Sequence, residues 1–361
     1  MGAYISSIGI ANPANKYTQE TIADFMCNNF ATSDEEKKKI KILYRATGIR
    51  ERYSVLNDYK KVNGSYSFYS NTPDLEPFPT TEQRMKLYRE KAVPLAIEAI
   101  SNCTHGREDY SSFTHLITVS CTGMYAPGLD VDIIKALNLR PDINRTSLNF
   151  MGCYAAMNAL VLAKEYCSNR KNIKVLVVSV ELCSIHLQKK QSEDNLLAHS
   201  LFSDGAAAAI VTSDPQPENL EICSASSYLA LNGKHDMAWQ IGDFGFEMSL
   251  TSYVPNIIKN GIGELTKNLL KDSNLSLKDI DTFAVHPGGK KILEAVEKEL
   301  KISKTDNALA YDVLRKYGNM SSPTILFVLK NLMTNQKPNQ NVLSFAFGPG
   351  LTMETILFKT H

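Results

Sequence analysis

Two stretches of this sequence are built to one plan, and the duplication restricts the fold more than any other feature. The first runs Gly152-Cys153-Tyr154-Ala155-Ala156 into a dense apolar segment that reaches Tyr166. The second runs Gly318-Asn319-Met320-Ser321-Ser322 into Thr324-Ile325-Leu326-Phe327-Val328-Leu329-Lys330-Asn331-Leu332. Each is a glycine turn opening a segment too apolar on all sides for a surface helix, so each reads as a buried helix. A buried strand follows at nearly the same distance. Val175 lies 22 residues beyond Cys153, and Val342 lies 23 beyond Asn319.

The surroundings repeat as well. Thr114-His115-Leu116-Ile117-Thr118-Val119-Ser120-Cys121 reads as a buried strand leading to a helix over 129–137. Asp281-Thr282-Phe283-Ala284-Val285-His286 reads as its counterpart, leading to an amphipathic helix over 290–300. Each half then closes with a glycine turn and a strand, at Asp204-Gly205-Ala206 and at Gly348-Pro349-Gly350. Helices are also expected over 18–30, 34–44 and 81–102. Strand–helix–strand order repeated in this way predicts an internally duplicated α/β protein with two similar layers about a pseudo-twofold axis. The proline-containing connector at 213–218 divides it into halves of residues 1–213 and 214–361.

Composition narrows the function classes. A formal net charge of +1 gives no reason to expect nucleic acid or a membrane surface as partner. No apolar run is long enough to span a bilayer, and the opening residues read as a strand rather than a signal peptide. Seven cysteines at 27, 103, 121, 153, 167, 183 and 223 form no CxxC pair and no metal-ligand spacing. A reducing, cytoplasmic location is expected.

The duplication gives chemistry to Cys153. Alone, a small cysteine beside a tight turn is most often a buried core residue. Here Cys153 and Asn319 occupy equivalent helix starts, and His286 ends a strand equivalent to the one ending at Ser120 and Cys121. A thiol near a helix N-terminus is favoured as thiolate. A Cys–His pair supplies nucleophile and imidazole, and an Asn amide donates to a developing oxyanion. Two enzyme classes use that set: acyl-transferring, carbon–carbon condensing enzymes, and cysteine peptidases of order Cys…His…Asn. The peptidase signature of two cysteines around a glycine followed by an aromatic is absent around Cys153. A non-catalytic acyl-CoA-binding homologue is the third reading, and the intact trio argues against it.

Five motifs in order carry a resemblance. They are Gly152-Cys153-Tyr154-Ala155, Leu201-Phe202-Ser203-Asp204-Gly205-Ala206-Ala207-Ala208, Val285-His286-Pro287-Gly288-Gly289, Tyr317-Gly318-Asn319-Met320-Ser321-Ser322 and Phe347-Gly348-Pro349-Gly350-Leu351-Thr352-Met353-Glu354-Thr355. From about Arg45 onward the chain resembles the type III polyketide synthases, the chalcone- and stilbene-synthase-like family. The motifs around His286 and Asn319 set it apart from the related ketoacyl-carrier-protein synthases III, a single-condensation alternative.

The resemblance implies a thiolase-like fold of layered αβαβα architecture and a homodimeric acyltransferase. It also implies malonyl-CoA and an acyl-CoA starter as substrates, with no cofactor and no metal. By the resemblance, Cys153 carries the acyl chain as a thioester and pairs with His286, while His286 and Asn319 bind the malonyl thioester carbonyl as carbon dioxide leaves. Phe202 and Phe246 match the phenylalanines gating the CoA tunnel, and Arg50 matches a phosphate-contacting position. Gly288 and Ser321 lie within the His and Asn motifs, and Gly348 and Pro349 shape a cavity wall. Cys121, Cys183 and His186 stand where threonines are usual in plant members. Ala46, Ala126 and Ala346 stand where lysine, methionine and glycine are usual. These departures alter the cavity and point to a pyrone or resorcinol product from an aliphatic starter rather than a chalcone.

Overall fold

The structure, a computed structural model, describes residues 2–361 apart from 63, 107, 108, 191, 216, 234, 235, 252, 253 and 336. Among the described residues the first half contains β1 (Tyr4–Ala11), β2 (Asn15–Thr18), α1 (Gln19–Phe30), α2 (Asp34–Ala46), β3 (Glu51–Ser54), α3 (Thr81–Thr104), β4 (His115–Ser120), α4 (Leu129–Leu137), β5 (Asn144–Asn149), α5 (Ala155–Cys167), β6 (Lys174–Leu182), α6 (Glu193–Leu201) and β7 (Asp204–Thr212). The second half contains β8 (Leu220–Leu229), β9 (Met237–Gly242), β10 (Gly245–Leu250), α7 (Val254–Asp272), β11 (Thr282–Val285), α8 (Lys290–Leu300), α9 (Ala308–Tyr317), α10 (Thr324–Asn335), β12 (Asn341–Gly348) and β13 (Thr352–Thr360).

Nine of these strands form one mixed ladder in the order β11-β12-β13-β8-β1-β7-β6-β4-β5. The duplication is visible in the pairing sense. Outward from the seam, β1 pairs antiparallel with β7, β7 antiparallel with β6, and β6 parallel with β4. On the other side β8, β13, β12 and β11 repeat the same senses. The halves join at a short antiparallel contact, Tyr4 opposite Glu221 and Ile5 opposite Leu220. β5 adds an outer edge beside β4.

The central helices explain the apolar runs. α5 packs on β4, β6 and β7 of one half and on β8 and β13 of the other. α10 packs on β11, β1 and β7 and touches α5. Both therefore lie between the two halves of the sheet. With α3 on the outer face of β1, β7 and β6, and α7 against β8 and β13, the layers follow the αβαβα order. Strands covered on both faces must be apolar or small throughout. β6 and β7 comply: Val175, Leu176, Val177 and Val178 are fully buried, as are the four alanines 206–209.

The expected helices and strands of the repeat are present, with ends shifted by a few residues. Cys153 differs in detail, since α5 begins at Ala155 and places the thiol in the turn ahead of the first helical residue. Segments to which the sequence pattern assigned no element include β5, α6, the β9–β10 hairpin and α9. β5 reads Asn-Arg-Thr-Ser-Leu-Asn and is largely exposed, so it carries no hydrophobic alternation to detect.

Candidate active site

Gly152 puts Cys153 where it is. Its φ of +84° lies in the left-handed region, and a Cβ there would stand 2.3 Å from Cδ of Pro349. Only glycine satisfies both conditions. The turn that follows directs the Cys153 thiol into the interior, where it is 7% exposed. Gly348 serves the same wall from the other side. A Cβ on it would meet the Tyr154 ring at 2.5 Å, so its bareness lets Tyr154 pack beside the nucleophile.

His286 follows directly on β11, its backbone N–H bonded to the Phe345 carbonyl at 2.8 Å. The ring is buried, and neither ring nitrogen has a hydrogen-bond partner among the described residues. A buried polar ring with both nitrogens open is rare unless a ligand uses it.

Asn319 is held by its amide. Its Oδ1 accepts the Ser321 N–H at 2.8 Å, and its Nδ2 donates to the Gly288 carbonyl at 3.2 Å. That fixes which end of the amide points inward and leaves one N–H hydrogen for an acceptor. Ser321 itself sits at φ +60°, an uncommon conformation for a residue with a Cβ. Its hydroxyl lies 3.3 Å from the Cys121 thiol and also lowers the pKa of Cys153 by hydrogen bonding.

Cys153, His286 and Asn319 line one cavity together with Cys121, Cys183, His186, Phe202, Phe246, Gly288, Ser321 and Pro349. Eleven of the candidates, most of them implied by the resemblance, therefore surround one space. Two lie elsewhere. Arg50 is exposed and lines a separate surface hollow with Lys41 and Arg45. Gly348 acts through Tyr154, as described.

Burial dominates the electrostatics. It pushes the Cys153 thiol up to about 11, against the lowering effect of bonds from Ser321 and Asn319. It pushes the His286 imidazole down to about 3. Both effects favour neutral groups in the cavity, which differs from the thiolate expected from the helix start alone.

His186 is neutral and fully engaged. Its Nε2 lies 2.7 Å from the Thr122 carbonyl, and its Nδ1 accepts the Phe246 N–H at 2.9 Å. The acceptor at one nitrogen and the donor at the other place the proton on Nε2. Its ring stacks on Phe246 at 4.4 Å, with Trp239 edge-on to both. His186 thus contributes shape rather than a free polar group, and Phe246 is the fixed face of an aromatic cluster. Phe202 is half-buried and faces the same space.

Three further residues line or brace the cavity. Glu181, at the end of apolar β6, is fully buried. It accepts the Cys121 and Thr122 N–H groups at 3.0 to 3.1 Å, the Thr122 hydroxyl at 2.6 Å and the Ser322 hydroxyl. It ties the β4 loop of one half to the start of α10 in the other. A carboxylate inside an otherwise apolar strand was its signal, because such a charge must be satisfied to be buried. Trp239, the single tryptophan, donates to the Cys121 carbonyl at 2.7 Å from the β9–β10 hairpin. Arg52 also lines the cavity.

A buried thiol, an open imidazole and an oriented amide around one apolar cavity can form a thioester and hold an enolate oxygen. Comparison with known proteins agrees. Family models described as the N-terminal and C-terminal domains of chalcone and stilbene synthases match residues 2–215 and 221–361. The alpha-pyrone synthesis polyketide synthase-like Pks18 of Mycobacterium tuberculosis is 32% identical over 99% of this chain and 91% of its own length. Two solved structures are alike throughout. One is the C-terminal type III polyketide synthase domain of Steely1 from Dictyostelium, with TM-score 0.92 and 28% identity over 100% of this chain and 99% of that one. The other is PKS-I of the brown alga Ectocarpus siliculosus, with TM-score 0.89 and 28% identity over 100% and 98%.

Proposed function

We propose, for a chain that belongs to the chalcone and stilbene synthase family and is a type III polyketide synthase, that it extends an aliphatic acyl-CoA with malonyl-CoA on Cys153 and closes the product to an α-pyrone. The observation that carries the site assignment is the open His286 ring and the oriented Asn319 amide facing the cavity that holds Cys153.

The Cys153 sulfur attacks the starter thioester carbonyl and coenzyme A leaves as its thiol. The sulfur's proton passes to His286, which returns it to the departing coenzyme A sulfur; while both are charged, the attraction between thiolate and imidazolium offsets the desolvation that otherwise keeps them neutral. Malonyl-CoA then places its thioester oxygen between His286 and the free Asn319 N–H. Loss of carbon dioxide leaves an enolate whose charge gathers on that oxygen. Donors already aimed at it stabilise the transition state more than the ground state, worth roughly 100- to 1000-fold per donor. The enolate carbon attacks the Cys153 thioester carbonyl, the new carbon–carbon bond forms, and the thiolate is expelled to be reloaded with the longer chain. After two extensions, an enol oxygen of the chain attacks the Cys153 thioester carbonyl and releases a six-membered lactone and free thiol.

The pyrone reading draws support from the relative named for alpha-pyrone synthesis. The exposed edge strand β5 supports a homodimer as the working form. No described helix is long and apolar enough to cross a membrane, and a cytoplasmic location is our reading.

The test is mass spectrometry of products from malonyl-CoA with a panel of acyl-CoA starters. Lactones of starter plus two acetate units support the reading. Hydrolysis of peptides with no consumption of malonyl-CoA would overturn it.

A further inference from the structure

Arg52, on β3, is 3% exposed and makes no ion pair among the described residues. A buried guanidinium without a carboxylate must be held by other acceptors. Its Nη1 donates to the carbonyls of His199 at 2.6 Å and Phe202 at 2.7 Å, and its Nε donates to Oε1 of Gln19 at 2.8 Å. Gln19, at the start of α1, donates in turn to the Ser200 carbonyl at 2.8 Å.

These bonds complete an account of one helix end. The last carbonyls of a helix have no partner within it. At the end of α6, Ala198 accepts the Phe202 N–H at 3.0 Å, His199 accepts Arg52, Ser200 accepts Gln19, and Leu201 accepts the Asn319 N–H at 2.9 Å. The Asn319 carbonyl returns a bond by accepting the Ser203 N–H at 2.8 Å. So the backbone of Asn319 is docked on the same helix terminus that Arg52 and Gln19 hold. A cation at a helix C-terminus also complements the dipole. Gly318 seals the arrangement: a Cβ on it would stand 2.9 Å from Cγ of Arg52 and 3.0 Å from the Leu201 carbonyl. Lysine could not replace the arginine, because a single ammonium cannot present Nη1 and Nε in a fixed plane to three acceptors.

We propose that Arg52, with Gln19, is a positioning residue for Asn319: it fixes the C-terminal end of α6 and thereby the place of the enolate-binding amide and of Phe202. This rests on the reading of Asn319 given above.

The test uses malonyl-CoA decarboxylation by the Cys153→Ala protein, which reports on His286 and Asn319 without condensation. Adding Arg52→Met is expected to lower kcat about 10- to 100-fold, since an error of about 1 Å in placement costs about that much. KM for malonyl-CoA should move less than about threefold, and Arg52→Lys should recover only part of the loss. In an Asn319→Ala background the same Arg52→Met change should cost less than about threefold, because the residue it positions is gone. Equal losses in both backgrounds would mean general destabilisation and overturn the proposal. Gln19→Leu, which removes the neighbouring support and leaves the guanidinium, gives a second variant with the same expected pattern. Amide hydrogen exchange separates this inference from the assigned activity. In Arg52→Met and Gln19→Leu the Asn319 and Ser203 amides should exchange at least tenfold faster whether or not the protein consumes malonyl-CoA. Unchanged protection overturns the positioning role, whereas an inert wild type overturns only the reading of the function.

Discussion

Replacing Gly152 by alanine perturbs the site at its narrowest point, and the structure supplies the magnitude. The residue has φ +84°, where a side chain costs about 1–2 kcal/mol. The added methyl would stand 2.3 Å from Cδ and 2.8 Å from Cγ of Pro349. Ordinary contact needs about 3.4 Å, so one wall must retreat by about 1 Å, at an overpacking cost of about 1–3 kcal/mol. The total is about 2–5 kcal/mol. Pro349 is a rigid ring next to Gly348, which is itself in contact with Tyr154, so the easier movement is that of the Cys153 turn. A thiol displaced by about 1 Å loses about 100-fold in its reaction. Two measurements follow: the rate of Cys153 acylation by an acyl-CoA, read by intact-protein mass, and stability from urea unfolding. Gly48→Ala is the control, with φ +75° and its nearest neighbour, Cδ of Lys290, at 3.9 Å. It should show the backbone cost alone and normal acylation. If Gly152→Ala acylates at the wild-type rate and unfolds at the same urea concentration, the reasoning from close approach is refuted.

Asn319→Ala should slow malonyl-CoA decarboxylation roughly 100- to 1000-fold, measured as carbon dioxide release, because one of two enolate donors is lost. Glu181→Gln puts an amide N–H against donors that now meet a carboxylate, and should cost about 2–4 kcal/mol in urea unfolding. Burial lowers the His186 pKa from 6.5 to about 3, so its contribution is fully present above pH 6.5 and is lost as pH falls from there towards 3. Between pH 6 and 4 the stability of His186→Gln should therefore depend on pH less steeply than the wild type, by about 1.4 kcal/mol per unit.

The duplication was legible in the sequence because burial between two sheet layers demands apolar residues on every face of α5 and α10. The strands around the two helices repeat as well, so the two helix starts, with Cys153 and Asn319, stood out as equivalent positions. Arg52 was not legible in the same way. Beside Arg45 and Arg50 it reads as one more surface cation, and only the carbonyls at the end of α6 that accept its guanidinium account for its burial. The resemblance pointed to His186 and Phe246 as cavity residues but not to their roles. Their stacking depends on a hairpin, β9–β10, whose short strands carry too little periodicity to reveal a register. The thiolate expected at Cys153 followed from the helix start alone. The structure adds burial, which acts in the opposite direction and favours the neutral thiol.

The most direct test of the central claim is to incubate the protein with an acyl-CoA, quench it in acid and map the adduct by peptide mass. The account predicts a single acyl group on the peptide carrying Cys153, absent in Cys153→Ala and discharged into lactone when malonyl-CoA is added. An acyl group resident on Cys121 or Cys183, or turnover of malonyl-CoA into product by Cys153→Ala, would contradict it.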